Sequence, residues 1–189
     1  MAILKVGGTQ IASSSGSAVT LDNVALGGSV VFPAGHVVSI EHKNGPNVGS
    51  ESTTADFSYL ADKEITYTVK NANTKIFIMW DVYAQLTGAT SEYAYTFQIR
   101  HSLDSYAAAL VGDGIGQNIM HLHYTASGLA YTQMQVPVRA LHTHNQSVDT
   151  VITYRIYCKC HNGTRALYSW DAWAETAIGE NVYFMEITV

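Results

Sequence analysis

The sequence predicts an all-β fold, a β-sandwich of the jelly-roll or a related Greek-key type with an extended N-terminal arm, and three observations predict it. From Val30 onward, apolar and polar residues alternate with a period of two through most of the chain, the signature of strands with one buried face. Polar turn clusters interrupt these runs at short intervals, as expected of eight to ten short strands with little helix. The chain closes on Val182-Tyr183-Phe184-Met185-Glu186-Ile187-Thr188-Val189, a strongly β-forming run expected to be locked into a sheet.

Taken in order, residues 1 to 29 are rich in Gly, Ser and Ala and contain two apolar pieces, Ile3-Leu4-Lys5-Val6 and Val19-Thr20-Leu21. Such a segment does not build its own core. It reads as an attachment arm, with Ile3, Leu4, Val6, Val19 and Leu21 suited to strand addition at a neighbour's edge. Residues 30 to 189 form the sandwich domain. A proline-glycine turn at Phe32-Pro33-Ala34-Gly35-His36 launches Val37-Val38-Ser39-Ile40-Glu41. A polar loop from Lys43 to Ser50 follows.

Ile65, Tyr67 and Val69 alternate with Thr66, Thr68 and Lys70, and the turn Asn71-Ala72-Asn73 leads into Lys75 to Tyr83. That run is apolar on both faces, which predicts a central strand covered on both sides. Tyr93 to Arg100 returns to period two and predicts a half-buried strand. Ser105 to Leu110 contains three alanines and reads as a helical turn, ended by the glycines at 112, 114 and 116. Later strands are expected at Ile119–Thr125, Ala130–Leu141, Val148–Cys160, Leu167–Trp173 and Val182–Val189. Along the third of these, Ile152, Tyr154, Ile156, Cys158 and Cys160 share one face. No internal repeat is present, which argues against a propeller or β-helix.

Composition narrows the function. At 189 residues the chain can bury roughly 70% of the surface its unfolded form exposes. Charged residues make up only 13%, against about 25% in an ordinary soluble domain. A monomer of this size has about 9,000 Å² of surface to cover, so part of that surface is expected to be buried against other subunits. Ten basic residues are scattered singly in a chain of net charge -5. There is no footprint for a phosphate backbone, and nucleic acid is excluded as a partner class. No run approaches 18 consecutive apolar residues and the start has no signal-peptide pattern, so membrane insertion is not expected and synthesis in the cytosol is. The two cysteines, Cys158 and Cys160, project from one strand face and cannot easily close on each other, which predicts reduced core thiols.

Three stretches carry a resemblance: Val31-Phe32-Pro33-Ala34-Gly35-His36-Val37-Val38, Asn73-Thr74-Lys75-Ile76-Phe77-Ile78 and Phe184-Met185-Glu186-Ile187. In that order and spacing they resemble small virion proteins and fibre tips of tailed bacteriophages. Lys5-Val6-Gly7-Gly8-Thr9 and Val19-Thr20-Leu21-Asp22-Asn23-Val24 look like the leader of phage tail-fibre chains. The segment from about Ser102 to Thr176 carries no family signature. The resemblance implies an N-terminal arm attached to the virion and an outward β-sandwich head, commonly a homotrimer. Its partners would be itself, a tail, baseplate or major capsid protein, and a host surface glycan. The implied role is tail-fibre or receptor-binding; capsid decoration, as a cement protein stabilising the head, is the close alternative. The implied location is the virion, after synthesis in the host cytoplasm.

Several residues could carry chemistry, and each also has a plainer reading. His-x-His occurs twice, at His121 and His123 and at His142 and His144. Each pair projects two imidazoles from one strand face and is the candidate metal site; the plainer reading is polar strand residues beside loops, with no cofactor. His161 beside Cys158 and Cys160 resembles a zinc half-site, but the strand alternation lacks the chelating turn. A cupin places a glutamate shortly after His-x-His, and neither pair has one. No serine lies in Gly-x-Ser-x-Gly, and Asp56, Asp62, Asp81, Asp104 and Asp113 are dispersed. No enzymatic activity is expected. Trp170, Asp171 and Trp173 are the candidate glycan contacts, two aromatic rings beside a carboxylate; they support a carbohydrate-binding module as a further alternative, and core packing is the plainer reading.

Overall fold

The computed structural model describes residues 2–6, 9–15, 18–20, 34–46, 50–53, 56–87, 92–110, 120–125, 131–160, 165–168 and 180–189, with side chains at 34–46, 56–60, 63–83, 95–110, 135–159 and 180–189. The chain divides into two compact units, Met1–Phe32 and Pro33–Val189. In the first, β1 (Ala2–Val6), β2 (Thr9–Ser15) and β3 (Ala18–Thr20) form a three-stranded sheet in that order, both pairings antiparallel. Ile3, Leu4 and Val6 lie in β1 and Val19 in β3; Leu21 lies outside the described residues. The strand pairing is thus internal to the segment, and addition to a neighbour's sheet would use the outer edges of β1 and β3.

Among its described residues the second unit has ten strands: β4 (Val37–Asn44), β5 (Ser50–Thr53), β6 (Ser58–Thr68), β7 (Thr74–Thr87), β8 (Glu92–His101), β9 (Met120–Thr125), β10 (Tyr131–Thr143), β11 (Val151–Cys160), β12 (Arg165–Tyr168) and β13 (Asn181–Thr188). Their antiparallel pairing is nested. β4 pairs with β13, β5 with β12, β6 with β11, β7 with β10 and β8 with β9. The strands of this unit therefore run as one long hairpin rolled into two sheets, which is the jelly roll. One sheet has the order β6-β11-β8-β9. In the other, β10 flanks β7 on one edge, β13 and then β12 share its opposite edge, and β4 and β5 lie outside them.

The alternation read from the sequence sets which face is buried. Ile76, Ile78, Trp80 and Val82 of β7, Val136, Val138 and Ala140 of β10, and Val182 and Phe184 of β13 meet Ile65, Tyr67, Tyr95, Phe97, Ile99, Ile152, Tyr154 and Ile156 of the second sheet in one core. The ring of Phe184 stacks on Tyr67 at 4.7 Å and lies 5.7 Å from Tyr154, joining the layers at their centre. The last strand is locked as expected, between β4 and β7. Its end is tied to the opening turn by Gly35 N–H donating to the Thr188 carbonyl and Thr188 N–H to that of His36. Gly35 has φ +84°, a conformation that glycine adopts without a Cβ penalty.

Three local expectations are corrected. β7 is central in its sheet, but among the described residues only one of its faces is covered by a second layer: Phe77 and Met79 on the other are half-buried. β8 is covered on both faces instead, with Thr96 and Gln98 buried as fully as Tyr95, Phe97 and Ile99. The helical turn falls earlier, as a 3-10 turn at Ser102–Asp104, and Ser105 and Tyr106 which follow it are left-handed, with φ +57° and +63°. The alanines beyond lie outside any helix.

Candidate functional site

At one end of the sandwich, β10 runs out into the segment after Thr143, and β8 runs into the 3-10 turn. His142 follows Ala140 on the inward face of β10, and His144 repeats that direction two residues on, so both side chains are buried. His101 ends β8 and stacks its ring on His142 at 4.2 Å between centroids. The three imidazoles line a cleft of about 400 Å³ together with Leu103, Leu110 and Gln146.

Hydrogen bonds fix the chemistry of His144. The Gln146 N–H donates to Nδ1 at 3.0 Å, so Nδ1 carries no proton and Nε2 does. Nε2 then donates to Thr74 Oγ1 at 3.2 Å, and the Thr74 hydroxyl donates to the Asn71 carbonyl at 2.9 Å. His142 Nδ1 shares a hydrogen bond of 2.9 Å with the Tyr154 hydroxyl. Asp104 Oδ1 stands 3.7 Å from His101 Nδ1, too far for a hydrogen bond.

Burial is the main cause that pushes all three imidazoles below their ordinary value, His142 to about 3, where the neighbouring His101 and His144 add to the effect. Asp104 opposes it at His101 and His142, and Glu186 at His144. Tyr154 is pushed up by burial, then by Tyr67 and Glu186. At neutral pH the three imidazoles are therefore uncharged.

His142 and His144 are both buried, but their rings stand edge-on with centroids 6.2 Å apart, and both nitrogens of His144 are used within the protein. Among the described residues no group of three or more His, Cys, Asp or Glu is arranged to hold a metal ion. His121 and His123 lie in β9 opposite Thr96 and Ala94 of β8; their side chains lie outside the description. Trp170, Asp171, Trp173 and His161 lie outside the described residues altogether. Cys158 is a buried thiol on the inward face of β11.

Sequence reasoning missed His101, whose position at the end of an alternating strand is the only signal it carries. It also missed a second buried polar site. Lys63 of β6 and Glu180, just before β13, form an ion pair in the interior. Glu180 also accepts from Trp80 Nε1 at 2.8 Å and from the Tyr83 N–H at 2.9 Å, while Lys63 Nζ donates to the Pro46 carbonyl at 3.1 Å. Nothing in the local pattern distinguishes this lysine from a solvated one.

No protein-family model matches the sequence, and no curated protein matches it. Among solved structures the chain is similar to the Eiger TNF from S. frugiperda, at 6% identity and a TM-score of 0.39, covering 79% of this chain and 92% of that one. It is also similar to chains of infectious bursal disease virus, Gx strain (9% identity, TM-score 0.34, 96% of this chain) and Gt strain (11%, 0.30, 94%). This chain spans 48% and 44% of the length of those two virus chains. The jelly-roll assignment rests on the strand pairing described above.

Proposed function

We propose that this chain is a non-enzymatic virion structural protein of a tailed bacteriophage, of the tail-fibre or receptor-binding type. Its jelly rolls would associate as a homotrimer, and residues 1 to 29 would attach the assembly to the particle. One observation carries the self-association. On the outer face of the β4-β13-β7-β10 sheet, Ile40, Met185, Phe77 and Leu141 stand opposite one another in register across four strands. This apolar row lies where an unpartnered sheet is ordinarily polar, with Ile40 65% exposed and Val37, near the same edge, 43% exposed. The neighbouring row is His42, Tyr183, Met79 and Arg139, amphipathic residues of the kind favoured in interfaces. A contiguous apolar face on a sparsely charged chain is expected to be covered by protein.

Light scattering on the purified full chain tests this. The expected mass is three times that of the monomer, and Phe77→Glu is expected to shift it to one without loss of folded signal. A monomer at tens of micromolar, at least about 10,000-fold above a nanomolar dissociation constant, overturns the self-association. Immunogold labelling of phage particles separates the two virion readings: label at the tail tip supports receptor binding, and label over the head supports the capsid decoration protein.

A further inference from the structure

The outward face of the second sheet carries a different surface. Glu64 of β6, Arg155 of β11 and Arg100 of β8 stand in one row, and Tyr59, Tyr157 and Gln98 in the next. Two arginines directly opposite each other repel, and the row supplies one carboxylate, Glu64, which accepts from Arg155 Nε at 2.6 Å. The guanidinium of Arg155 lies between two tyrosine rings, 4.0 Å from the centroid of Tyr106 and 4.7 Å from that of Tyr59. Its two terminal nitrogens make no hydrogen bond to any described residue. That edge is a planar pair of donors, held in place by its stacking and by Glu64.

The second observation is the backbone that supplies Tyr106. Ser105 and Tyr106 are consecutive non-glycine residues with positive φ, a conformation that is unusual for a bulky residue and held only where its surroundings over-determine it. Here they do: the Tyr106 N–H donates to the His101 carbonyl at 2.9 Å. Its own carbonyl accepts from Arg100 Nη1 at 3.1 Å, and the Ser102 hydroxyl accepts from the Thr153 N–H at 3.0 Å. Arg100 is oriented in turn by Gln98 Oε1 and stacks on Tyr157 at 4.3 Å. Tyr106 is only partly buried, so core packing does not account for this arrangement.

We propose that the Tyr59–Arg155–Tyr106 clamp is a binding site for the acidic group of a saccharide, a carboxylate or a phosphate ester. The free guanidinium edge matches a planar carboxylate or a phosphate in bidentate fashion. Arg100 adds positive potential beside it, and half-buried Tyr106 borders the place where the sugar that bears the anion would lie. A single clamp on an acidic chain suits one anionic group and not a polyanionic strand, since no line of cations follows it. The inference names the ligand class of the outward-facing surface in the reading above, and its biological meaning rests on that reading.

The test is calorimetric titration of the full-length protein with four probes: an oligogalacturonate, a phosphorylated mannose, a neutral maltooligosaccharide and a single-stranded oligonucleotide. Binding of the carboxylated or the phosphorylated sugar, with the neutral one inert, is expected, and the first two arms tell the anion. Arg155→Gln is expected to weaken it by at least about tenfold. Tyr106→Gly, which suits the left-handed backbone and so preserves the fold, is expected to weaken it as well, while Phe77→Glu leaves it unchanged. Failure of both acidic sugars to bind, indifference to Arg155→Gln and Tyr106→Gly, or equal binding of the oligonucleotide overturns the site. A protein found on particles that binds neither sugar loses the site and keeps the virion role; sugar binding by a protein absent from particles has the reverse meaning.

Discussion

Lys63 and Glu180 form an ion pair in which neither side chain has any exposure to solvent, and it bridges β6 of one sheet to the segment entering β13 of the other. Taking both charges out of water is costly, and the pair is compensated by the donors from Trp80 and Tyr83 and the acceptor from Pro46. Burial still pushes the Glu180 carboxyl upward, against the opposing pull of Lys63 and the three hydrogen bonds. Removing one partner leaves the other charge buried alone, which costs about 3–5 kcal/mol. Lys63→Met is therefore expected to lower stability by that amount in urea unfolding. Lys63→Met with Glu180→Gln is expected to lose less than the sum of the two single changes, since the amide keeps an acceptor for Trp80.

Gly45 is required by the same site. A Cβ on Gly45 would stand 2.6 Å from Glu180 Cβ, and the Gly45 N–H donates to the Glu180 carbonyl at 2.7 Å, so the two backbones cannot separate without losing that bond. Gly45→Ala is expected to destabilise by about 1–3 kcal/mol, the usual cost of overpacking, and to change the fluorescence of Trp80, whose indole lies against both residues. Thermal melts followed at the tryptophan emission check both effects.

The imidazole cluster makes stability depend on pH. Because folded His142 is held near 3 and an unfolded histidine titrates near about 6.5, the unfolded chain binds the extra proton between those values. Stability is then fully present above pH about 6.5 and falls as the pH drops toward 3. His101 and His144, also lowered, act in the same direction. Urea midpoints measured from pH 7.5 to 4 are expected to fall steeply for the wild type. In His142→Leu paired with Tyr154→Phe, which removes both ends of the hydrogen bond, the slope is expected to be shallower.

Ser105 adopts φ +57° and ψ +32° directly after the 3-10 turn. A left-handed conformation costs an L-residue about 1–2 kcal/mol, and glycine is exempt. Ser105→Gly is expected to raise stability by about 0.5–1 kcal/mol, the remainder being offset by the greater freedom of glycine in the unfolded chain. A higher urea midpoint with an unchanged slope is the result to look for.

Much of the fold was legible in the sequence. The alternation of Ile65, Tyr67 and Val69, or of Ile152, Tyr154, Ile156 and Cys158, assigns the buried face directly, because side chains on a strand alternate sides whatever the sheet does. β13 and the turn at Gly35 were legible for the same local reasons. Of the candidate site, His142 and His144 were visible as a pair, since two-residue spacing places them on one face.

Other features depend on which strands meet. That Phe77 faces outward beside Met185, Ile40 and Leu141 follows from the register of four strands distant in sequence. Gln98 and Thr96 look like solvated strand residues until the opposite face of β8 is found to be covered. His101 joins His142, Arg155 meets Tyr106, and Lys63 finds Glu180 only because the nested pairing closes long loops. Local periodicity encodes the strand class and the inward face of most strands, so both could be read without any knowledge of the partners. The jelly-roll order, the apolar outer face, the histidine cleft and the buried ion pair emerge only on folding, because burial and partner identity are properties of contacts between distant residues.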